Sequence, residues 1–224
     1  MPASVRTNVA LRGPCGEICI RQPRGQSKRR LPAGPCVDTF PLMGTIEFDQ
    51  VTTRGGDRGI SHLADGEPRR KDDPLFEALG DLDELSSWLG VVRASVQAQR
   101  LRRELAAIQE ALLTVGAEVS TPRLSAQHAK LRKLGDKDLR GLEAAEKKLL
   151  ARTEIAPRFV LPGDHPVAAW VDVARAVCRR AERRIVTLIR DAGMIHLALC
   201  QNYVNRLSDY LFVLARALTQ GVVR

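Results

Sequence analysis

Val171-Asp172-Val173-Ala174-Arg175-Ala176-Val177-Cys178-Arg179-Arg180-Ala181-Glu182-Arg183-Arg184-Ile185 is the stretch on which the fold turns. Val167, Val171, Ala174, Cys178, Ala181, Ile185 and Leu188 recur at spacings of three and four. That is the period of one face of an α-helix. A strand would change face at every residue. The helix is expected to begin at about Pro166, where the fixed φ of proline suits the first turn, and to break at Ala192-Gly193.

The same period recurs on both sides. Leu82, Leu85, Leu89, Val92 and Val96 form one stripe, opened by Asp73 as an N-cap and Pro74 as first helical residue. Leu101, Leu105, Ile108, Leu112, Val115 and Val119 form the next, stopped at Thr121-Pro122. A third runs from Asp136 or Asp138 through Leu142, Ala145 and Leu149 and ends before Pro157. The last begins at about Ile195 and carries Cys200, Val204, Leu207, Leu211, Leu214 and Leu218. Ile46, Phe48 and Val51 read as a short extended segment, residues 123–136 as a loop, and Phe159–Gly163 as a short apolar loop. Five amphipathic helices with almost no strand predict an all-α five-helix bundle. Its packing is up-and-down and ferritin-like, with a short irregular N-terminal segment. No internal repeat is present.

The chain has 224 residues, 44% of them hydrophobic and 27% charged, a balance that suits one soluble domain with an appendage. No apolar run approaches the roughly 18 residues of a membrane span. The net charge of +9 invites a nucleic-acid reading, but it is unevenly spread. Residues 1–42 carry seven basic and two acidic side chains, six of the twelve prolines and three of the five cysteines. Residues 1–45 are therefore expected to be a disordered basic extension, and 46–224 the bundle. Neither nucleic acid nor membrane is expected as a partner. The extension lacks the apolar stretch of a signal peptide. It fits an organellar transit peptide and equally fits a start placed too early, with Met43 as first residue. Cys15, Cys19 and Cys36 lack a CxxC pair and a nearby His, so no metal site is assigned. Cys178 and Cys200 sit within helical patterns as small core residues. Nothing suggests a disulfide framework, so a cytoplasmic location is expected, or the mitochondrial matrix if the extension is a transit peptide.

Some residues do not fit a plain bundle. Arg175, Arg179 and Glu182 share one strip beside the apolar face, a boundary that meets a neighbouring helix or subunit more often than open water. A solvated basic face is the plain alternative. Arginine at such a boundary suits a polyanion, because its planar fork offers two donors to phosphate oxygens. Asn205 and Asp209 flank the last stripe, and Asp83 flanks the first, where it can pair with an arginine of the fourth helix. Thr52-Thr53-Arg54-Gly55-Gly56-Asp57-Arg58-Gly59 is neither a Walker A motif nor a dinucleotide fingerprint. It is a turn, or a nest of backbone N–H groups for anionic oxygens. Thr53 and Ser61 add hydroxyls, and Lys71 adds an ammonium.

Thr53–Gly59, Lys71-Asp72-Asp73, Asp81–Ser87, Phe159–Gly163, Ala174–Arg183 and Asn205-Arg206-Leu207-Ser208-Asp209-Tyr210 together resemble the ATP:corrinoid adenosyltransferases of the propanediol-utilisation type, over residues 46 to about 218. The resemblance implies a homotrimer with ATP bound between subunits and Mg2+ as helper. It implies that cob(I)alamin attacks the 5′ carbon of ATP, giving adenosylcobalamin and triphosphate. It implies that Thr53, Arg54, Gly55, Gly56, Asp57, Gly59, Ser61 and His62 wrap the triphosphate and that Lys71 neutralises phosphate charge. Arg179, Arg180, Glu182, Arg183 and Asn205 would hold the nucleotide. Asp83 and Arg175 would pair across the subunit boundary, making Arg175, Asp83 and Arg179 the catalytic set. Phe159 would press on the corrin and exclude its lower ligand; its plain alternative is a loop core residue. Partners implied are a flavin reductase and an adenosylcobalamin-dependent mutase or dehydratase. Two departures stand out: Gly55 replaces a usual Thr, and Asp172 a usual His. The first leaves open a corrinoid carrier with weak turnover.

Overall fold

The structure is a computed structural model that describes residues 47–63, 66–121 and 126–223. The expected extension, with Cys15, Cys19 and Cys36, lies outside the described residues. The chain divides into two units, Met1–Val51 and Thr52–Arg224. Within the first, Phe48–Val51 form a helical turn, α1, not the extended segment expected. Phe48 and Val51 are three apart, a spacing that suits one turn of helix as well as it suits a strand end.

The second unit opens with a hairpin that the sequence did not signal. Strands β1 (Ile60–His62) and β2 (Pro68–Arg70) are antiparallel, with Ile60 opposite Arg70 and His62 opposite Pro68. They are too short to show a period of two, and Pro68 sits at a strand start, where its missing N–H is tolerated. Helix α2 (Pro74–Ser95) follows. Asp73 caps it, accepting the Leu75 N–H at 2.9 Å, and Pro74 opens it. Helix α3 (Gln99–Ser120) ends beside Thr121. A five-residue helix, α4 (Ala126–Lys130), occupies part of the expected loop; it is too short to carry an apolar stripe. Helix α5 (Asp136–Leu150) starts where the carboxylate of Asp138 accepts the Gly135 N–H at 2.9 Å.

Helix α6 (Pro166–Asp191) is capped by His165 and turned back by Gly193 at φ +67°, a left-handed conformation that favours glycine. A 3-10 turn at Ile195–Leu197 leads into α7 (Ala198–Thr219). Helix α7 is the most embedded, burying Leu207, Leu211, Leu214 and also Tyr203 and Tyr210. Among the described residues the five long helices thus match the five expected. α6 packs between α2 and α7, α3 lies on α2, and α5 lies on α7. Tyr210 ties α7 to α3 by donating to Glu104 at 2.8 Å. Cys178 and Cys200 are buried free thiols. Burial pushes both well above the ordinary thiol value, and the Cys178 Sγ–H donates to the Val204 carbonyl at 3.2 Å. No helix among the described residues is long and apolar enough to cross a membrane.

Candidate nucleotide and corrinoid site

The glycine-rich segment and Lys71 are far apart in sequence and adjacent in space. The hairpin returns the chain so that the Lys71 N–H donates to the Gly59 carbonyl at 2.9 Å. Two tight turns precede it, closed by Asp57 N–H to Arg54 O at 3.3 Å and Gly59 N–H to Gly56 O at 3.1 Å. Arg54 itself has φ +54°, a region that non-glycine residues rarely adopt and that marks sites whose surroundings hold the strain. The Gly55 N–H donates to Thr53 Oγ1 at 3.4 Å. The Lys71 ammonium lies over Gly56: a β-carbon there would stand 2.6 Å from Nζ. Thr53, Asp57, Gly59 and Lys71 are exposed, while Ser61 is half-buried and His62 is exposed on β1. Beside them Arg70 grips Asp72 with two donors, at 2.8 and 2.6 Å, and these hydrogen bonds hold the Asp72 carboxyl below its ordinary value.

The second group lies on α6 and α7. Asn205 Nδ2 donates to Glu182 Oε1 at 2.9 Å across the helix seam, and both residues are half-buried. Arg206 donates to Asn205 Oδ1 at 2.7 Å, which fixes the orientation of the amide. Arg179 is exposed and its guanidinium meets no partner among the described residues, while Arg183 donates to the Arg179 carbonyl at 3.0 Å. An unpaired guanidinium beside an oriented carboxylate and amide is an arrangement suited to phosphate and ribose or base edges.

The remaining candidates separate. Arg180 faces α2, bonding Asp81 at 2.9 Å and also Glu84; hydrogen bonding to Asp81 holds its proton more tightly. Arg184 joins Glu77 at 2.7 Å. These acid–arginine rungs are the helix-to-helix pairing expected of Asp83, but Asp81 and Glu84 supply it. Asp83 is exposed and has no ion-pair partner among the described residues. A stripe inclined by three or four residues puts positions 77, 81, 84 and 88 on one face, which excludes 83. Trp88 continues the rung, stacking on Trp170 at 5.6 Å.

Arg175 lies one turn before Arg179. Its Nε stands 3.7 Å from Asp172 Oδ1, and Asp172 Oδ2 accepts from Arg216 Nη2 at 2.5 Å. Asp172 and Arg216 are both buried. The guanidinium carbons of Arg175 and Arg216 lie 6.0 and 5.4 Å from the centre of the Phe212 ring, within the range of cation–π attraction. Sequence reasoning missed this cluster. Its signal is the lone Arg216 inside the apolar run Leu211–Leu218, because a buried charge needs a counter-charge.

Phe159 is fully exposed, as is its neighbour Leu161 for the most part. Their loop is fastened to α7: the Glu154 N–H donates to Gln220 Oε1 at 3.1 Å, and Gln220 Nε2 donates to the Glu154 carbonyl at 2.5 Å. Beneath it a cavity of about 150 Å³ is lined by Val160, Leu161, Ala168, Arg216 and Gln220 among others. Among the described residues no group of three His, Cys, Asp or Glu side chains is placed to hold a metal ion.

The profile of the family described as "Cobalamin adenosyltransferase" matches residues 51–218. A "Corrinoid adenosyltransferase" of Citrobacter freundii is 38% identical over 167 residues, covering 75% of this chain and 93% of that protein. The human "Corrinoid adenosyltransferase MMAB" is 36% identical over 220 residues, covering 94% of this chain and 86% of that protein. Among solved structures, a variant PduO-type ATP:corrinoid adenosyltransferase from Lactobacillus reuteri, complexed with cobalamin and ATP, superposes with a TM-score of 0.67. It is 30% identical, over 75% of this chain and 90% of that one. A helical bundle of this shape, matched along nearly the whole of its described length, settles the family: this chain belongs to the cobalamin adenosyltransferases.

Proposed function

We propose that this chain transfers the 5′-deoxyadenosyl group of ATP to the cobalt of cob(I)alamin and releases triphosphate. The observation that carries the site assignment is the pair of open cationic groups: Lys71 over the glycine-rich loop, and Arg179 beside Glu182 and Asn205. Each is built from backbone turns or oriented side chains, and among the described residues neither cation is ion-paired. Among the described residues no hydrogen bond or ion pair joins the two. That supports a homotrimer in which ATP sits between copies, the loop of one facing α6 and α7 of the next. Exposed, unpaired Asp83 is then available to a neighbouring copy's Arg175.

The reduced cobalt is itself the nucleophile, so the protein needs no Ser, Cys or His nucleophile. The buried, protonated Cys178 and Cys200 are unsuited to that role. What the chain supplies is alignment and charge. Holding the 5′ carbon near the cobalt converts a bimolecular step into an internal one, worth several kcal/mol of barrier. Lys71, Arg179 and the loop N–H groups meet the charge that grows on the departing triphosphate. Mg2+ commonly binds through substrate phosphates and one or two carboxylates; here it would enter with ATP, with Asp57 the nearest acid in the loop. Phe159 offers an exposed ring that can cover one corrin face and keep water and the lower base away. A cytoplasmic location is proposed, or the mitochondrial matrix if residues 1–45 direct import. A flavin reductase would supply the cob(I)alamin, and a mutase or dehydratase would take the product.

The test is anaerobic: reduced cobalamin and MgATP are mixed with the protein and the corrinoid spectrum is followed. Formation of adenosylcobalamin with one triphosphate per turnover is expected. Tight corrinoid binding without conversion would instead identify a carrier, the reading that Gly55, with its missing hydroxyl, favours.

A further inference from the structure

Asp172 and Arg175 lie three residues apart on α6, and Phe212 and Arg216 lie four apart on α7, so four side chains meet at one place on the helix seam. The carboxylate of Asp172 is divided. One oxygen is taken by Arg216 at 2.5 Å; the other stands 3.7 Å from the Nε of Arg175. Arg216 is buried and spends its charge on Asp172, while the Arg175 side chain is about one-third exposed, at 32%. Two cations face one carboxylate, and the surplus positive charge therefore sits at the outer end of Arg175. Its Nε is buried without a hydrogen bond, and among the described residues neither Nη atom meets an acid.

An isolated Asp–Arg pair on one helix closes readily into a two-donor fork. A closed fork here would neutralise Arg175 and turn its Nη atoms inward. Arg216 prevents that by occupying Oδ2. The Phe212 ring supports both guanidiniums from below.

We propose that Asp172 and Arg216 are positioning residues for Arg175: Asp172 anchors its inner edge, and Arg216 keeps that anchor from closing on the whole guanidinium, so the outer edge stays charged and available to the Asp83 carboxylate of a neighbouring copy. This rests on the reading above that Arg175 pairs with Asp83 of a neighbouring copy and that the pair orders the site. Neither residue touches substrate on this assignment.

The test is a rescue. Arg216→Met frees Asp172 to close on Arg175, and kcat is expected to fall about tenfold, with the KM for ATP within about twofold. Arg216→Met with Asp172→Asn removes the competing carboxylate, and kcat is expected to recover several-fold. A purely structural role predicts that stability and kcat fall together in Arg216→Met and recover together in the double variant, because Asp172→Asn also removes an unpaired buried carboxylate. Denaturant unfolding of both variants separates the two, and a kcat that only tracks stability overturns the proposal. Full kcat in Arg216→Met, or no recovery in the double variant, overturns the proposal. If Arg216→Met does not fold, Arg216→Lys is read instead. A cation retained at Oδ2 is expected to keep kcat within about threefold of the wild type, and a tenfold loss overturns the proposal. A measurement independent of turnover is hydrogen exchange at the Arg175 Nε–H by NMR. It is expected to be slower in the wild type than in Asp172→Asn, and equal rates overturn the proposal. Should the wild type form no adenosylcobalamin, the functional reading fails while this exchange still tests the anchor.

Discussion

The ammonium of Lys71 occupies the space that a side chain at Gly56 would fill, with Nζ 2.6 Å and Cε 2.9 Å from where the β-carbon would stand. The contact joins the far end of a flexible side chain to a backbone without one. Gly56→Ala is therefore expected to move Lys71 aside without straining the fold, as no left-handed φ is required of Gly56. Losing one charge-assisted hydrogen bond of about 1.5 kcal/mol raises the KM for ATP about tenfold. The melting temperature should stay within about 2 °C of the wild type. Steady-state kinetics at varied ATP checks this; an unchanged KM would remove Lys71 from the phosphate site.

Arg179 and Arg180 are sequence neighbours with different surroundings, and their alanine variants should part company. Arg179 has no side-chain partner among the described residues, so Arg179→Ala costs little stability and sharply raises the KM for ATP or abolishes turnover. Arg180 bonds Asp81 and Glu84 but is 40% exposed, so solvent discounts the pairing. Arg180→Ala is expected to cost about 1 kcal/mol of stability and to leave the KM closer to the wild type. Denaturant unfolding beside kinetics on both variants decides. A KM change in Arg180→Ala as large as that in Arg179→Ala, with no loss of stability, would return Arg180 to the nucleotide.

Phe159 makes its prediction through exposure. A ring in open water contributes little to the folded state, so Phe159→Ala should melt within about 1 °C of the wild type. ATP binding should also persist. The expected loss is in reduction of Co(II)alamin, because nothing then shields the corrin face from water and the lower base. The spectroscopic signature of four-coordinate Co(II)alamin reports this directly, and its undiminished formation in the variant would take Phe159 out of the reaction.

The helices were legible because each carries a long stripe at a spacing of three and four, and because Asp73-Pro74 and Ala192-Gly193 have specific end chemistry. The pieces that were not legible are short. α1, α4, β1 and β2 span three to five residues each, too few for a period to emerge. Their conformation is set by turns such as Gly59–Lys71. The site residues were named by their resemblance to a family, while their separation into two groups needed coordinates. Asp83 illustrates the limit: sequence places it on the flank of α2, but which of the helix's polar faces meets α6 is set by packing, and Asp81 and Glu84 lie about 60° apart on one face while Asp83 lies about 100° beyond Glu84. Arg216 was missed for another reason. A stripe drawn through Leu207, Leu211, Leu214 and Leu218 passes beside it, and only packing on three sides buries what lies off that line.

The buried thiols set the response to alkali. Cys178 and Cys200 are both pushed well above their ordinary value by burial, with the Glu182 carboxylate adding to the effect at Cys178 and Glu118 at Cys200. In the unfolded chain they ionise near the ordinary thiol value of about 8.5. Above that pH the unfolded state binds fewer protons than the folded one, so stability falls as pH rises. The slope approaches about 1.4 kcal/mol per pH unit for each thiol. Tyr203 and Tyr210, also raised by burial, steepen the decline above about pH 10. Stability should therefore be flat with respect to these groups below about pH 8 and drop between about 8.5 and 10. Cys178→Ala removes one of the two thiols and should shallow the slope by about 0.7 kcal/mol per pH unit at about pH 8.5, rising towards about 1.4 near about pH 10. Urea unfolding at successive pH values measures it. An identical slope in Cys178→Ala and the wild type would mean that the Cys178 thiol does not carry this dependence.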